Sequence, residues 1–321
     1  MAWPPYQLME RDYLAEAQEK YARLERLYHV AQKNAWDGKQ LLADLLKKHG
    51  GIQLPLHKKQ ALGEIFSSLL WGELAAWSIS ADLALQLEDT EAKMAATSQV
   101  FDEARHFYVM RDYLLALDLP GGLPKLDGYS HTILTELLST TRLVDKLLGM
   151  QLIVESIAVT LFRSGAQAGV EPVLSELMPY FERDEARHVG LGVLYLPKLL
   201  AELNPLQAAR LKLQQLKLVT LVACGSHLKT ASFAELGIDN NDGFRRGLKL
   251  NREVMMGMRS PEGQDPPGVL VGDPRLDVVN DWAIDLYFPR LGGEQPGWQR
   301  AALGVMNKLS QLGDRALRWA S

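Results

Sequence analysis

The chain has 321 residues, 47% hydrophobic and 23% charged, with a formal net charge of −4, the size of one large or two ordinary soluble domains. That balance leaves no broad basic footprint for nucleic acid. The single cysteine, Cys224, excludes an intrachain disulfide and a Cys-based zinc site. No uncharged apolar run of about 18 residues suggests a membrane span, and the start, Met-Ala-Trp-Pro-Pro-Tyr, has no signal-peptide pattern. The expectation is a cytoplasmic protein with neither nucleic acid nor membrane as partner.

Residues 7–34 are charged and helical in period, with Leu14, Tyr21, Leu24 and Leu27 as an apolar stripe. Asp37 suits the cap of a short helix ending before Gly50-Gly51. A long helix rich in Leu, Ala, Trp and Ile is expected from Leu56 to about Gln86, and Glu88-Asp89-Thr90-Glu91 reads as a turn with a new N-cap. The next helix runs to about Leu117, and Leu119-Pro-Gly-Gly-Leu-Pro124 opens a loop reaching Ser130. A third long helix is expected over 131–167, interrupted at Gly165 and Gly169. Pro172 starts a fourth, to about Leu203, with Pro197 as a candidate kink. Asn204-Pro205 opens a further helix to Lys229. Helical patches at 241–257, 276–288 and 297–319 flank a Gly/Pro-rich loop at 259–274. Nothing alternates with period two for long enough to form a sheet. The class is all-α, with a single domain over 1–321: a core at about 56–203, N-terminal helices at 7–49 and a C-terminal extension at 205–321.

Asp102-Glu103-Ala104-Arg105-His106 recurs as Asp184-Glu185-Ala186-Arg187-His188, an offset of 184 − 102 = 82. Each copy holds Glu-x-x-His, whose two side chains share one helix face. Glu73 lies 30 residues before Glu103 and Glu155 lies 30 before Glu185, and 155 − 73 is again 82. The midpoints of these pairs fall at 88, inside the acidic turn, and at 170, beside Gly169. Antiparallel helices joined by a turn bring equidistant residues to the same height, here about 15 residues or roughly 22 Å from each turn. Glu73 then faces Glu103 and His106, and Glu155 faces Glu185 and His188. Tyr113-Leu114 and Tyr195-Leu196 also match across the offset, as an old duplication would leave them. Two such hairpins place four carboxylates and two imidazoles in one bundle core, the ligand set of a dimetal carboxylate site. Burying those carboxylates unpaired would be prohibitive; oxygen-rich ligation with one imidazole per metal suits iron or manganese. The bland reading is two Glu/His pairs on exposed faces. Glu64 rivals Glu73 but lies nine residues off level, whereas Glu73 sits inside an apolar run.

Metal-bound histidines donate their other N–H to a carboxylate or carbonyl. Asp102 is placed for His188 and Asp184 for His106, each in the opposite hairpin. Arg105 and Arg187 pair with these aspartates or point to solvent. Trp36 is read first as a packing residue, with a hydrogen bond to an aspartate as the alternative. His29, His49, His57, His131 and His227 have no partner at ligand spacing.

The set Glu73, Glu103-x-x-His106, Glu155, Glu185-x-x-His188 resembles the ribonucleotide-reductase-like branch of the ferritin-like superfamily, strongly over 56–200 and loosely over 25–55 through Gln32-Lys33-Asn34-Ala35-Trp36-Asp37. The resemblance implies two Fe ions, or a Mn/Fe pair, with O2 as co-substrate. Glu73, Glu103 and His106 would hold one metal; Glu155, Glu185 and His188 would hold the other; Glu103 and Glu185 would bridge. It also implies a ferredoxin or reductase as electron donor and a homodimer. Departures narrow the choice. Met110 stands where reductase small subunits place the radical tyrosine, Met150 where ligand-binding oxidases place a crosslinked tyrosine, and Val159 where multicomponent monooxygenases commonly carry a threonine. The reading is a non-haem diiron oxidase or oxygenase acting on a small apolar organic substrate. The alternatives are an iron-handling ferroxidase, which residues 205–321 disfavour by obstructing shell packing, and a metal-bearing subunit of a multicomponent monooxygenase.

Overall fold

Apolar residues recurring every three or four positions give each long segment one face to bury, and a helix satisfies its own backbone while doing so. The computed structural model describes residues 19–259, 263–270, 277–293 and 296–320, and among them no strand occurs. Helices α1 (Glu19–Lys33) and α2 (Gly38–His49) precede the long pair α3 (Leu56–Gln86) and α4 (Thr90–Ala116). Then come α5 (Gly128–Ser139), α6 (Leu143–Ala168) and α7 (Pro172–Leu200). The C-terminal part adds α8 (Pro205–Leu228), α9 (Thr230–Glu235), α10 (Asn240–Met256), α11 (Asp277–Tyr287) and α12 (Gly297–Ala320). Residues 7–18 of the first expected helix, and parts of the 259–274 loop, lie outside the described residues.

The ends are set by local chemistry. Asp37 accepts the Gln40 N–H at 2.9 Å to start α2, and Gly50, at φ +68°, ends it in a left-handed cap that a side chain would strain. Glu171 accepts the N–H groups of Val173 and Leu174 to start α7, with Pro172 in its first turn. Asn204 and Gln207 form a reciprocal capping box on α8. The duplication reaches these caps. Tyr113 Oη donates to Glu171 at 3.2 Å, and 82 residues along each way Tyr195 lies in the field of Asp89, the residue preceding α4.

The expected helix over 131–167 is two helices. Thr140 (ψ 135°) and Arg142 (ψ 120°) are extended and separate α5 from α6. Ser139-Thr140-Thr141 is a run of β-branched and hydroxyl side chains that compete with the helical backbone, and Ser139 Oγ already bonds the Glu136 carbonyl at 3.1 Å. Within α6, Leu147–Val154 is π-helical, a wider turn that shifts the face on which following side chains emerge. By length and composition Leu143–Ala168 could cross a bilayer, but 72% of its apolar window is buried inside the protein; it is a core helix.

α3 pairs with α4 and α6 with α7, and the two hairpins pack against each other. α1 lies along α4 and α7, α9 sits on α3, α8 and α10 cover α6, and α12 packs on α5 and α8. The apolar interior falls into two clusters. One gathers Leu83, Leu87, Leu147, Leu152 and Tyr195; the other gathers Phe66, Met110, Tyr113, Phe162 and Phe181. Each fully buried Leu or Phe contributes about 1.5–3 kcal/mol, which holds the hairpins rigidly around the polar layer between the clusters.

Candidate metal centre

That layer contains all six side chains of the duplicated pattern. α3 supplies Glu73, α4 supplies Glu103 and His106, α6 supplies Glu155, and α7 supplies Glu185 and His188; each is at most 5% exposed. Their donor atoms form two groups, Glu73–Glu103–His106–Glu185 and Glu103–Glu155–Glu185–His188, with one atom per residue lying within 4.8 Å of the others. Glu103 and Glu185 belong to both. His106 Nδ1 lies 3.4 Å from Glu73 and 2.9 Å from Glu185. His188 Nδ1 lies 2.9 Å from Glu103 and 2.7 Å from Glu185. Glu64 is elsewhere, accepting from Ser232.

The far nitrogen of each imidazole faces the opposite hairpin. His106 Nε2 is 3.3 Å from Asp184 Oδ2, and His188 Nε2 is 3.5 Å from Asp102 Oδ2. Both arginines turn inward. Arg105 donates to Asp102 at 2.5 Å and to Asp184 at 2.9 Å; Arg187 donates to Asp102 at 3.0 Å and to Asp184 at 2.8 Å. The result is a closed square of two carboxylates and two guanidiniums behind the histidines. Trp36 is more than a packing residue: its Nε1–H donates to Asp184 Oδ2 at 2.8 Å, and its ring lies 4.8 Å from the Arg105 guanidinium carbon. Sequence position alone cannot distinguish a Trp that packs from one whose single N–H finds a buried acceptor.

The electrostatics divide along the same line. Burial pushes Glu73 and Glu155 well above the usual carboxylate range, with the charges of Glu185 and Glu103 adding to it. Burial works against Asp184 and Asp102 too, but the histidine facing each overrides it and both are held low; Arg187 and Trp36 help Asp184. Glu185 is likewise held low against burial, by His188 and His106. Both histidines are raised well above their ordinary value, since nearby carboxylates outweigh desolvation. Among the described residues, Glu103 Oε2 and His106 Nδ1, both buried and aimed into the layer, make no well-aligned hydrogen bond, although a Glu185 oxygen lies 2.9 Å from the imidazole nitrogen. Four carboxylates crowded in a buried layer, with their donor atoms and those of two imidazoles gathered into two groups, have the chemistry of a site for two divalent ions, whose charge would balance theirs.

Two glutamines complete the layer. Gln99 Nε2 donates to Glu155 at 3.0 Å and Glu103 at 3.2 Å, and Gln151 Nε2 donates to Gln99 Oε1 at 2.5 Å. Each glutamine precedes a site glutamate by four residues, 99 before 103 and 151 before 155. That spacing, inside apolar surroundings, was the available signal. Outside the layer, His29, His49 and His57 pair with Glu25, Glu176 and Glu235, His131 is exposed, and His227 donates to the Tyr287 carbonyl.

A cavity of about 230 Å³ adjoins the layer. Glu73 and Glu155 form part of its wall beside Leu69, Gly72, Ala76, Met150 and Ala158. Its far side is built by the C-terminal helices, through Val219, Val222, Phe233, Gly247 and Asn251. Leu69, Ala76 and Ala158 line it, whereas Phe162, Val159 and Leu152 are core. Asn251 also donates to the Leu152 carbonyl at 2.8 Å, satisfying an acceptor within the π-helical stretch.

No protein-family model matches the chain, and no curated protein matches it in sequence. Solved structures do match in fold. An R2-like ligand-binding oxidase variant with an aerobically reconstituted Fe/Fe cofactor superposes with a TM-score of 0.58 at 16% identity, covering 79% of this chain and 98% of that one. A variant with an anaerobically reconstituted Mn/Fe cofactor gives 0.57 at 17% identity, over 79% and 98%. A third, with an aerobically reconstituted Mn/Fe cofactor, gives 0.56 at 18% identity, over 80% and 99%. The fold is the ferritin-like helical bundle of these proteins.

Proposed function

We propose, from that shared fold and the six-residue layer, that the chain is a non-haem dimetal oxidoreductase, Fe/Fe or Mn/Fe, which uses O2 to oxidise a small apolar organic molecule. The observation that carries the reading is that Glu73 and Glu155 belong at once to the donor groups and to the cavity wall. A molecule in the cavity therefore lies directly against the layer. The fold neighbours are named ligand-binding oxidases with Fe/Fe or Mn/Fe cofactors, which supports the same reading.

In this proposal Glu73, Glu103 and His106 would hold one ion, and Glu155, Glu185 and His188 would hold the other. When bound, the pair supplies O2 reduction and the oxidising equivalents. The chain does the rest. Asp184 and Asp102 hold the Nε2 protons of His106 and His188, which leaves each Nδ1 lone pair free for coordination. Arg105 and Arg187 hold those aspartates in place by donating to both. Gln99 steers Glu155 and Glu103 by donating to one oxygen of each. The apolar wall selects an aliphatic or aromatic molecule and keeps water from the reacting face. Two electrons per turnover come from a ferredoxin or reductase unless the substrate supplies them. The class covers hydroxylation, desaturation, N-oxygenation and C–C cleavage.

The test is metal content together with O2 consumption. Protein expressed with iron should retain about two metal ions per chain, and Glu103→Ala should lose most of them. The reduced protein should consume O2 in proportion to its metal, without growing an iron core. Retention of less than one ion per chain, unchanged in Glu103→Ala, refutes the dimetal site; core growth assigns iron storage instead.

A further inference from the structure

α12 has two apolar faces, and among the described residues only one is packed against the rest of the protein. On the inner face Leu303 and Ser310 are buried. Tyr129 Oη donates to the Ser310 carbonyl at 3.0 Å, and Asp314 accepts the Gly128 N–H at 2.5 Å. Gly313 presses so closely on Tyr129 that no side chain fits there. The outer face presents Trp298, Val305, Leu309, Leu312 and Trp319, each at least 59% exposed. Their spacings of 7, 4, 3 and 7 residues set them in one stripe along the helix. Val278 and Trp282 of the adjoining α11 are exposed as well. Large apolar patches of this kind mark interaction sites.

Charge indicates what covers the stripe. α12 carries Arg300, Lys308, Arg315 and Arg318 against the single acid Asp314, in a chain whose net charge is −4. Exposed Lys308 and Arg315 border the stripe on the side away from the body. A second copy presenting the same face would set these cations against their own kind, whereas an anionic lipid surface complements them. Tryptophans at the two ends, 319 − 298 = 21 residues apart, suit the level of lipid headgroups. In place of the sequence's expectation of no membrane partner, we propose that α12 docks the protein on an anionic bilayer surface, its outer stripe lying in the headgroup–acyl boundary and Lys308 and Arg315 on the lipid phosphates. The face opposite this stripe holds Tyr129, whose neighbour Ser130 lines the apolar cavity. Docking so places the cavity's helices beside a reservoir of apolar molecules; that consequence rests on the function proposed above, while the docking itself does not.

Flotation of the full-length, metal-loaded protein with phosphatidylcholine vesicles, with and without phosphatidylglycerol, tests this. The protein should float with the phosphatidylglycerol vesicles and be released by high salt. Lys308→Glu with Arg315→Glu should lower the bound fraction by at least about tenfold, and Leu309→Glu with Leu312→Glu should abolish binding. All four positions are exposed, so both variants should keep the wild-type helix content and metal load. Metal loss in the wild type would count against the dimetal reading and not against docking. No flotation with anionic vesicles, or flotation undiminished in both variants, overturns the proposal. A dimer in light scattering that Leu309→Glu with Leu312→Glu dissociates, with no flotation, overturns it in favour of self-association.

Discussion

Gly192 is where α7 comes closest to the π-helical stretch, and Gly192→Ala should loosen the whole layer. A Cβ at this position would lie 2.7 Å from Leu152 Cδ2 and 2.8 Å from Gln151 Cβ. Leu152 can rotate its terminal methyl away, but Gln151 Cβ is tied to the backbone. Restoring even the 3.4 Å at which ordinary contact begins requires the two helices to part by about 0.6 Å. Overpacking of this kind costs about 1–3 kcal/mol. The displaced residue is Gln151, so its bond to Gln99 lengthens, and Gln99 loses register on Glu155 and Glu103. Urea unfolding should show a loss within that range and metal analysis a lower occupancy. Gly72→Ala is the control. A Cβ there meets nothing within 4 Å, so replacing a mid-helix glycine should stabilise by about 0.5–1 kcal/mol. If Gly192→Ala unfolds within about 0.5 kcal/mol of wild type and keeps its metal, the argument from close approach is wrong.

Glu171→Ala removes the acceptor for two backbone N–H groups and for Tyr113 Oη, which should cost about 2–4 kcal/mol in urea unfolding. The cost should shrink in a Tyr113→Phe background, where no hydroxyl is left stranded; an unchanged cost would deny the coupling. Asp127 caps α5 through the Ser130 N–H at 2.9 Å and pairs with Lys229. Burial pushes its pKa up, but Lys229 and the cap hold it below the ordinary value. A carboxyl lowered on folding stabilises above its unfolded pKa and loses that contribution as pH falls through the folded one. Asp127→Asn should therefore cost about 1–2 kcal/mol at neutral pH, with the gap from wild type closing below about pH 4. Iron or manganese loading should stabilise the fold by about 2.7 kcal/mol at a hundredfold excess of free metal over Kd, and so raise Tm as free metal rises. Glu103→Ala should abolish that shift, seen by scanning calorimetry with and without chelator.

The convergence of the six side chains was legible because two independent regularities agree: the 82-residue repeat, and turns midway between Glu73 and Glu103 and between Glu155 and Glu185. Helical hairpins convert that arithmetic directly into height. The π-helical stretch was not legible. Leu147-Leu148-Gly149-Met150-Gln151-Leu152-Ile153-Val154 is nearly all apolar and is buried through Ile153, so no polar face reveals its period. Nor was the break at Thr140–Arg142, which is a weak local preference exploited by packing against α8. The cavity's outer wall depends on how α8, α9 and α10 fold back over α6, a tertiary fact for which Val219 or Phe233 carries no local sign.

A duplication begins with two equal halves, and the positions that have since diverged tell the ends apart. Gln99 and Phe181 are equivalents, since 181 − 99 is 82. On one side the amide of Gln99 bonds Glu155; on the other the ring of Phe181 stacks on His106, 4.5 Å between centroids. The pseudo-twofold axis is thus broken where it matters. One donor group has a hydrogen-bonding amide beside it and the other an apolar aromatic ring. On the proposed dimetal reading two unlike ions would have a preferred order here, and a molecule in the neighbouring cavity would meet a layer with a left and a right.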